Sequence, residues 1–141
     1  MHDLTSFQLN DTLYTSYGID TPNTRPGWPA VLEYAGTDIL EGATGEYSLL
    51  AWGCEGSSTP YYASYSSATV DTNTPAGIDI MSTSDKGPDV ATSAALVKAL
   101  KGLNNKEIQG LVGGLVKMNQ DGARNGQPRV SVLLSSIGYR R

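Results

Sequence analysis

Histidine and cysteine each occur once in this chain, as His2 and Cys54. A lone histidine beside a chain end leaves a serine or cysteine nucleophile without a base, which argues against Ser-His-Asp and Cys-His chemistry. Zinc sites built from Cys and His clusters are excluded by the same count. One cysteine cannot form an internal disulfide, and the apolar context YSLLAWGC predicts that Cys54 is a buried, inert thiol. No Gly-x-Gly-x-x-Gly, Walker or EF-hand spacing is present, so the corresponding nucleotide and calcium sites have no support. No apolar run approaches the ~18 residues of a membrane span. The opening MHDLTSFQLN lacks the basic and apolar regions of a secretion signal, so a cytoplasmic location is the default expectation. The glycosylation tripeptide Asn10-Asp11-Thr12 therefore stands without a secretory context.

Charge is also scarce. Charged residues make up 17% of the chain, against about 25% in an average protein, and the formal net charge is −4. Their distribution is uneven. Residues 1–85 carry eleven acidic side chains and one basic one, Arg25, whereas residues 86–141 carry nine basic and three acidic. The two stretches attract each other, either within one fold or head to tail between copies. Nucleic acid is not an expected partner, because the aromatic residues that would stack on bases lie in the acidic stretch.

What the sequence does hold is a sequence of short β segments followed by two helices. Pro and Gly punctuate the first 85 residues into strand candidates: Phe7–Ile19 as one strand or a broken pair, Ala30–Ala35, Tyr47–Cys54, Tyr61–Val70 and Ile78–Thr83. Pro88 suits the first position of a helix that carries Val90, Leu96, Val97, Leu100 and Leu103 and stops at Gly102. A second helix is predicted with Asn104 as N-cap, Glu107 completing a capping box and Leu103 closing on Ile108. Its apolar face is Ile108, Leu111, Val112, Leu115 and Met118, and Gly122 is its stop. Gly110, Gly113 and Gly114 fall inside it, which points to a tightly packed face. Val130–Tyr139 reads as a final strand returning to the same sheet. The expected fold is thus α+β within a single domain of residues 1–141. A strand-rich acidic part (1–85) forms a mostly antiparallel sheet of five or six strands. A helical hairpin (88–122) covers one of its faces, and a last strand (128–139) closes it.

The residues that remain for function are carboxylates and aromatics. Asp38, Glu41 and Glu46 cluster in a turn region and Glu55 follows Cys54, but no ligand spacing accompanies them, so neither a metal nor a cofactor is expected. Asp79 alternates away from Ile78 and Ile80 and should meet solvent. Eight tyrosines and two tryptophans supply nearly all the aromatic mass. Trp28, Tyr34, Trp52, Tyr61, Tyr62 and Tyr65 are the candidate ligand-binding residues, because rings with a polar tip favour half-wet pockets and interfaces. Two functions follow as expectations. One is a small-molecule-binding domain whose aromatic-lined pocket takes a small apolar or aromatic ligand, extending to metal-independent isomerase or cyclase chemistry. The other is a structural subunit of a homo-oligomeric, shell- or coat-like assembly without enzymatic activity.

Overall fold

The computed structural model describes residues 1–9, 11–27, 30–37, 40–70, 73–118, 121–123, 126 and 129–130. The elements run β1 (His2–Leu9), β2 (Thr12–Pro22), β3 (Val31–Thr37), β4 (Thr44–Glu55), β5 (Thr59–Ser66), β6 (Gly77–Ser82), α1 (Val90–Lys101), α2 (Lys106–Gly113) and β7 (Arg129–Val130). Strands β1 to β6 are hydrogen-bonded in sequence order, and β7 lies parallel to β2. The expected α+β class with a mostly antiparallel sheet is what the chain adopts. Two compact units divide it: residues 1–46, 69–74 and 122–141 form the first, and residues 47–68 and 75–121 the second.

In the first unit, the segment read as one strand or a broken pair is a pair. β1 and β2 form an antiparallel hairpin, and Asp11, in the turn between them, has φ of 62°. Aspartate tolerates this left-handed conformation better than most residues. β3 continues the sheet on the other side of β2, with Gly18 opposite Gly36 and Asp20 opposite Tyr34. The ring of Tyr34 lies where a β-carbon on Gly18 would stand, so the glycine makes room for the tyrosine of the next strand. Burial along β2 does not follow one alternation. Leu13 and Thr15 are buried, then Ser16, Gly18 and Asp20, and the phase changes between Thr15 and Ser16. Tyr17, which simple alternation places on the same face as Leu13, is therefore exposed. Of the expected final strand, Arg129 and Val130 pair with Leu13 and Tyr14 of β2, and the rest lies outside the described residues.

The second unit contains the helix-covered core. Ala63, Ile78, Leu96, Leu100, Ile108 and Val112 are buried together, with Leu50, Ala51, Tyr61, Tyr65, Ile80, Leu111 and Leu115 packed around them. The apolar face predicted for the second helix is thus core from Ile108 to Leu115, whereas Met118 lies beyond the helix and is exposed.

The helix ends differ from the sequence reading. α1 starts two residues later than expected, at Val90 rather than Pro88. Asp89 is its N-cap, accepting from the Thr92 N–H at 2.7 Å, and Pro88 precedes the cap. The N-cap of α2 is Asn105, not Asn104: its Oδ1 accepts from the N–H groups of Glu107 (3.0 Å) and Ile108 (3.1 Å). The shift moves position N4 from Ile108 to Gln109, so the Leu103–Ile108 staple gives way to a polar one. Gln109 Nε2 donates to the carbonyls of Lys101 and Leu103 at 3.1 and 2.7 Å, tying α2 to the end of α1. α2 also stops early, at Gly113 with Gly114 as its C-cap, rather than at Gly122. The tightly packed glycine face does not form. A β-carbon on Gly110 or Gly113 would have nothing within 4 Å, so both face open space. Because Asn105 satisfies two otherwise unpaired donors, Asn105→Ala should lower stability by about 1 kcal/mol. Asn104→Ala should change it little. Urea unfolding of both variants checks the assignment, and the reverse order would restore Asn104 as the cap.

Candidate functional site

Register assigns the aromatic side chains of the second unit to faces. β4 pairs with β5 so that Trp52 lies opposite Tyr62 and Gly53 opposite Tyr61. β5 pairs with β6 so that Tyr62 lies opposite Met81, and Tyr65 opposite Ile78. Residues directly opposite each other share a face, and successive residues alternate. Tyr61, Ala63 and Tyr65 therefore turn toward the helices together with Ile78 and Ile80. Trp52, Tyr62 and Met81 form a row across three strands on the opposite, outer face.

The two rows differ in environment. On the helix side Tyr61 and Tyr65 are half-buried against the core. The Tyr61 ring occupies the place of a side chain at Gly53. Tyr65 Oη donates to Glu107 Oε1 at 3.2 Å, linking β5 to α2. Burial, then the Glu107 charge, pushes the Tyr65 hydroxyl above its ordinary pKa. On the outer face Trp52 is 68% exposed and Met81 49%, flanking the half-buried Tyr62. A second exposed apolar group lies in the first unit, where Leu4 is opposite Tyr17 and Ile19 follows two residues along.

The six candidate residues are thus not one cluster. Tyr61 and Tyr65 belong to the helix side, Trp52 and Tyr62 to the outer face, Tyr34 to the first unit, and Trp28 lies outside the described residues. Met81, Leu4, Tyr17 and Ile19 escaped the sequence reading. Met81 was within reach of it, since the alternation IDIMS that puts Asp79 outward also puts Met81 outward, and Asp79 is indeed exposed. Nothing in the sequence marked the change of phase in β2.

Cys54 is exposed rather than buried. It shares the outer face with Trp52 and lies opposite Pro60. The apolar run YSLLAWGC suggested a strand covered on both faces, but α1 and α2 pack on the face that carries Ala63 and Ile78, opposite to Cys54. Native Cys54 should accordingly react with a maleimide at a rate within about tenfold of the urea-unfolded chain, since access rather than burial governs it. Native labelling a hundredfold slower would show the thiol to be shielded.

Two carboxylates, Glu55 and Asp89, act at the start of α1. Glu55 Oε1 accepts from the Asp89 N–H at 2.7 Å, placing a second acid at the start of α1 beside the Asp89 cap. The hydrogen bonds from Thr92 hold the Asp89 carboxyl below its usual pKa. Glu46 meets Arg25 at 3.5 Å on the surface, a contact of little energetic weight. Among the described residues no three His, Cys, Asp or Glu side chains converge on a metal position, and Asp38 lies outside them.

Asp20 is the titratable group most worth testing. It is buried on β2, and burial, then the charge of Asp3, raises its pKa above 3.8 against the opposing effect of the amino terminus. A carboxyl whose pKa is higher folded than unfolded favours folding in its protonated form. That stabilisation is complete below pH 3.8 and is lost as pH rises through the folded value. Asp20→Asn removes the loss. The variant's melting temperature relative to the natural chain should climb as pH rises from 3.8 and then level off. Parallel melting curves across that range would show that Asp20 has the same pKa folded and unfolded.

Among the described residues no helix is long and apolar enough to cross a membrane. Comparison of the chain with protein-family models, curated protein sequences and solved structures returned no match.

Proposed function

We propose that this chain is a structural subunit that assembles with further copies of itself. The observation that carries the reading is the outer row of the second unit, Trp52, Tyr62 and Met81, in register across β4, β5 and β6 and largely open to solvent. Tryptophan and tyrosine dominate the energetics of protein interfaces, and an ordered apolar row on a sheet face marks a contact surface. The exposed Leu4, Tyr17 and Ile19 of the first unit add a second surface of the same kind. A subunit in an extended assembly needs two such surfaces. The uneven charge along the sequence supports the same partner, since acidic strands of one copy and the exposed Lys98, Lys101 and Lys106 of another attract. An aromatic-lined ligand pocket is less well supported, because its expected rings are divided between faces.

Light scattering after gel filtration tests the reading. The natural chain is expected at a multiple of the monomer mass, rising with concentration, and Trp52→Ser should shift it toward the monomer. A natural chain that stays monomeric at the highest attainable concentration overturns the proposal.

A further inference from the structure

β6 is the outermost strand on its side of the sheet, and among the described residues no strand pairs with its far edge. Which backbone groups that edge presents follows from one hydrogen bond. The Thr83 N–H donates to the Pro60 carbonyl of β5 at 3.2 Å, and Thr83 and Pro60 continue the β5–β6 register by one step. In an antiparallel ladder alternate residues point both backbone groups at the same neighbour. Met81, Asp79 and Gly77 therefore point theirs at β5, and Ile78, Ile80 and Ser82 point theirs outward. The edge lacks most devices that discourage strand addition. It has no proline, no lysine and an unbroken register with β5, and its single charge is Asp79.

We infer that the β6 edge is a seam that pairs antiparallel with β6 of a second copy, about a twofold axis at Ile80. The inference rests on the reading of the chain as a self-assembling subunit and names where two copies join. Three features select this occupant and this register. Centring on Ile80 sets Ile80 opposite Ile80 of the second copy and Ile78 opposite Ser82 in both directions. Those are the residues with outward backbone groups, so each of the three pairs exchanges two hydrogen bonds and all outward donors and acceptors of the strand are met. The register also keeps the helix-covered faces of the two copies on the same side, as the side-chain period of two requires. Finally, it sets Asp79 against Met81 of the other copy, whereas centring on Asp79 would place two carboxylates directly opposite each other. Met81 carries the outer row to the sheet edge. Joining two edges brings the two rows onto one outer face, offset from each other by two residues at the seam.

The Asp79–Met81 pairing supplies a test specific to this seam. Met81→Lys and Met81→Asp remove the same exposed apolar side chain. In the proposed register the introduced ammonium meets Asp79 of the other copy twice per dimer, while the introduced carboxylate meets it as a like charge twice. Sedimentation equilibrium of the full chain should show Met81→Lys associating as tightly as the natural chain or tighter. Met81→Asp should dissociate at least about tenfold more readily. Circular dichroism establishes that both variants fold, as expected for a residue that is half exposed. Equal weakening by both overturns the seam while leaving assembly through the outer face standing. No weakening by either also overturns the seam and places the contact elsewhere. A natural chain that never associates removes the seam and the proposed function together.

Discussion

Leu100→Ala should lower the unfolding free energy by about 2–5 kcal/mol, the range for truncating a buried leucine. Leu100 is 1% exposed and is the only large side chain buried so completely among the described residues. It sits on α1, in the cluster with Ala63, Ile78, Leu96, Ile108 and Val112, so its removal opens a cavity between helix and sheet. Leu103, three residues on and 38% exposed, is the internal comparison, and Leu103→Ala should cost under about 1 kcal/mol. Urea unfolding followed by circular dichroism measures both. A loss below 1 kcal/mol for Leu100→Ala would mean that α1 is not seated on the sheet.

Gly36→Ala should be nearly as damaging, by about 3 kcal/mol, for the opposite reason. A β-carbon there would overlap the Leu40 carbonyl oxygen and stand 2.7 Å from Leu40 Cβ. The backbone cannot retreat freely. The Ala43 N–H donates to that same carbonyl at 2.9 Å, and the Gly36 N–H donates to the Ala43 carbonyl at 2.9 Å. Adding one methyl group therefore breaks the hydrogen-bonded turn that leads from β3 to β4. Gly110→Ala carries the same chemical change into open space on an exposed helix, and it should stabilise the protein by up to about 1 kcal/mol. Opposite signs in the two melting shifts would establish that surroundings decide the effect. A tolerated Gly36→Ala would show that the turn adapts.

Pro- and Gly-bounded segments, alternation within IDIMS, and the i, i+3, i+4 face of Ile108, Leu111, Val112 and Leu115 are local signals. They were sufficient for the α+β class, the order of most elements and the core side of α2. Local signals failed where two neighbouring residues compete for one role. Asn104 and Asn105 both suit an N-cap, and Pro88 and Asp89 both suit a helix start. The choice depends on which side chain reaches the first free N–H groups, which is a matter of backbone geometry. Gly110, Gly113 and Gly114 show the same limit. Sequence marked them as unusual, but whether a glycine makes room for something or merely faces solvent is decided by what stands within a few ångströms.

The candidate site depended still more on tertiary structure. A strand's alternation determines which residues share a face, so Tyr61 and Tyr65 were separable from Tyr62 by sequence alone. It does not say which face the helices cover. That followed from packing of Leu96, Leu100, Ile108 and Val112 onto Ala63 and Ile78, and it left Trp52, Tyr62, Met81 and Cys54 on the other side. Which strand ends the sheet is likewise set by pairing between distant segments, because the hydrogen bonds that define an edge are made or left unmade by other parts of the chain.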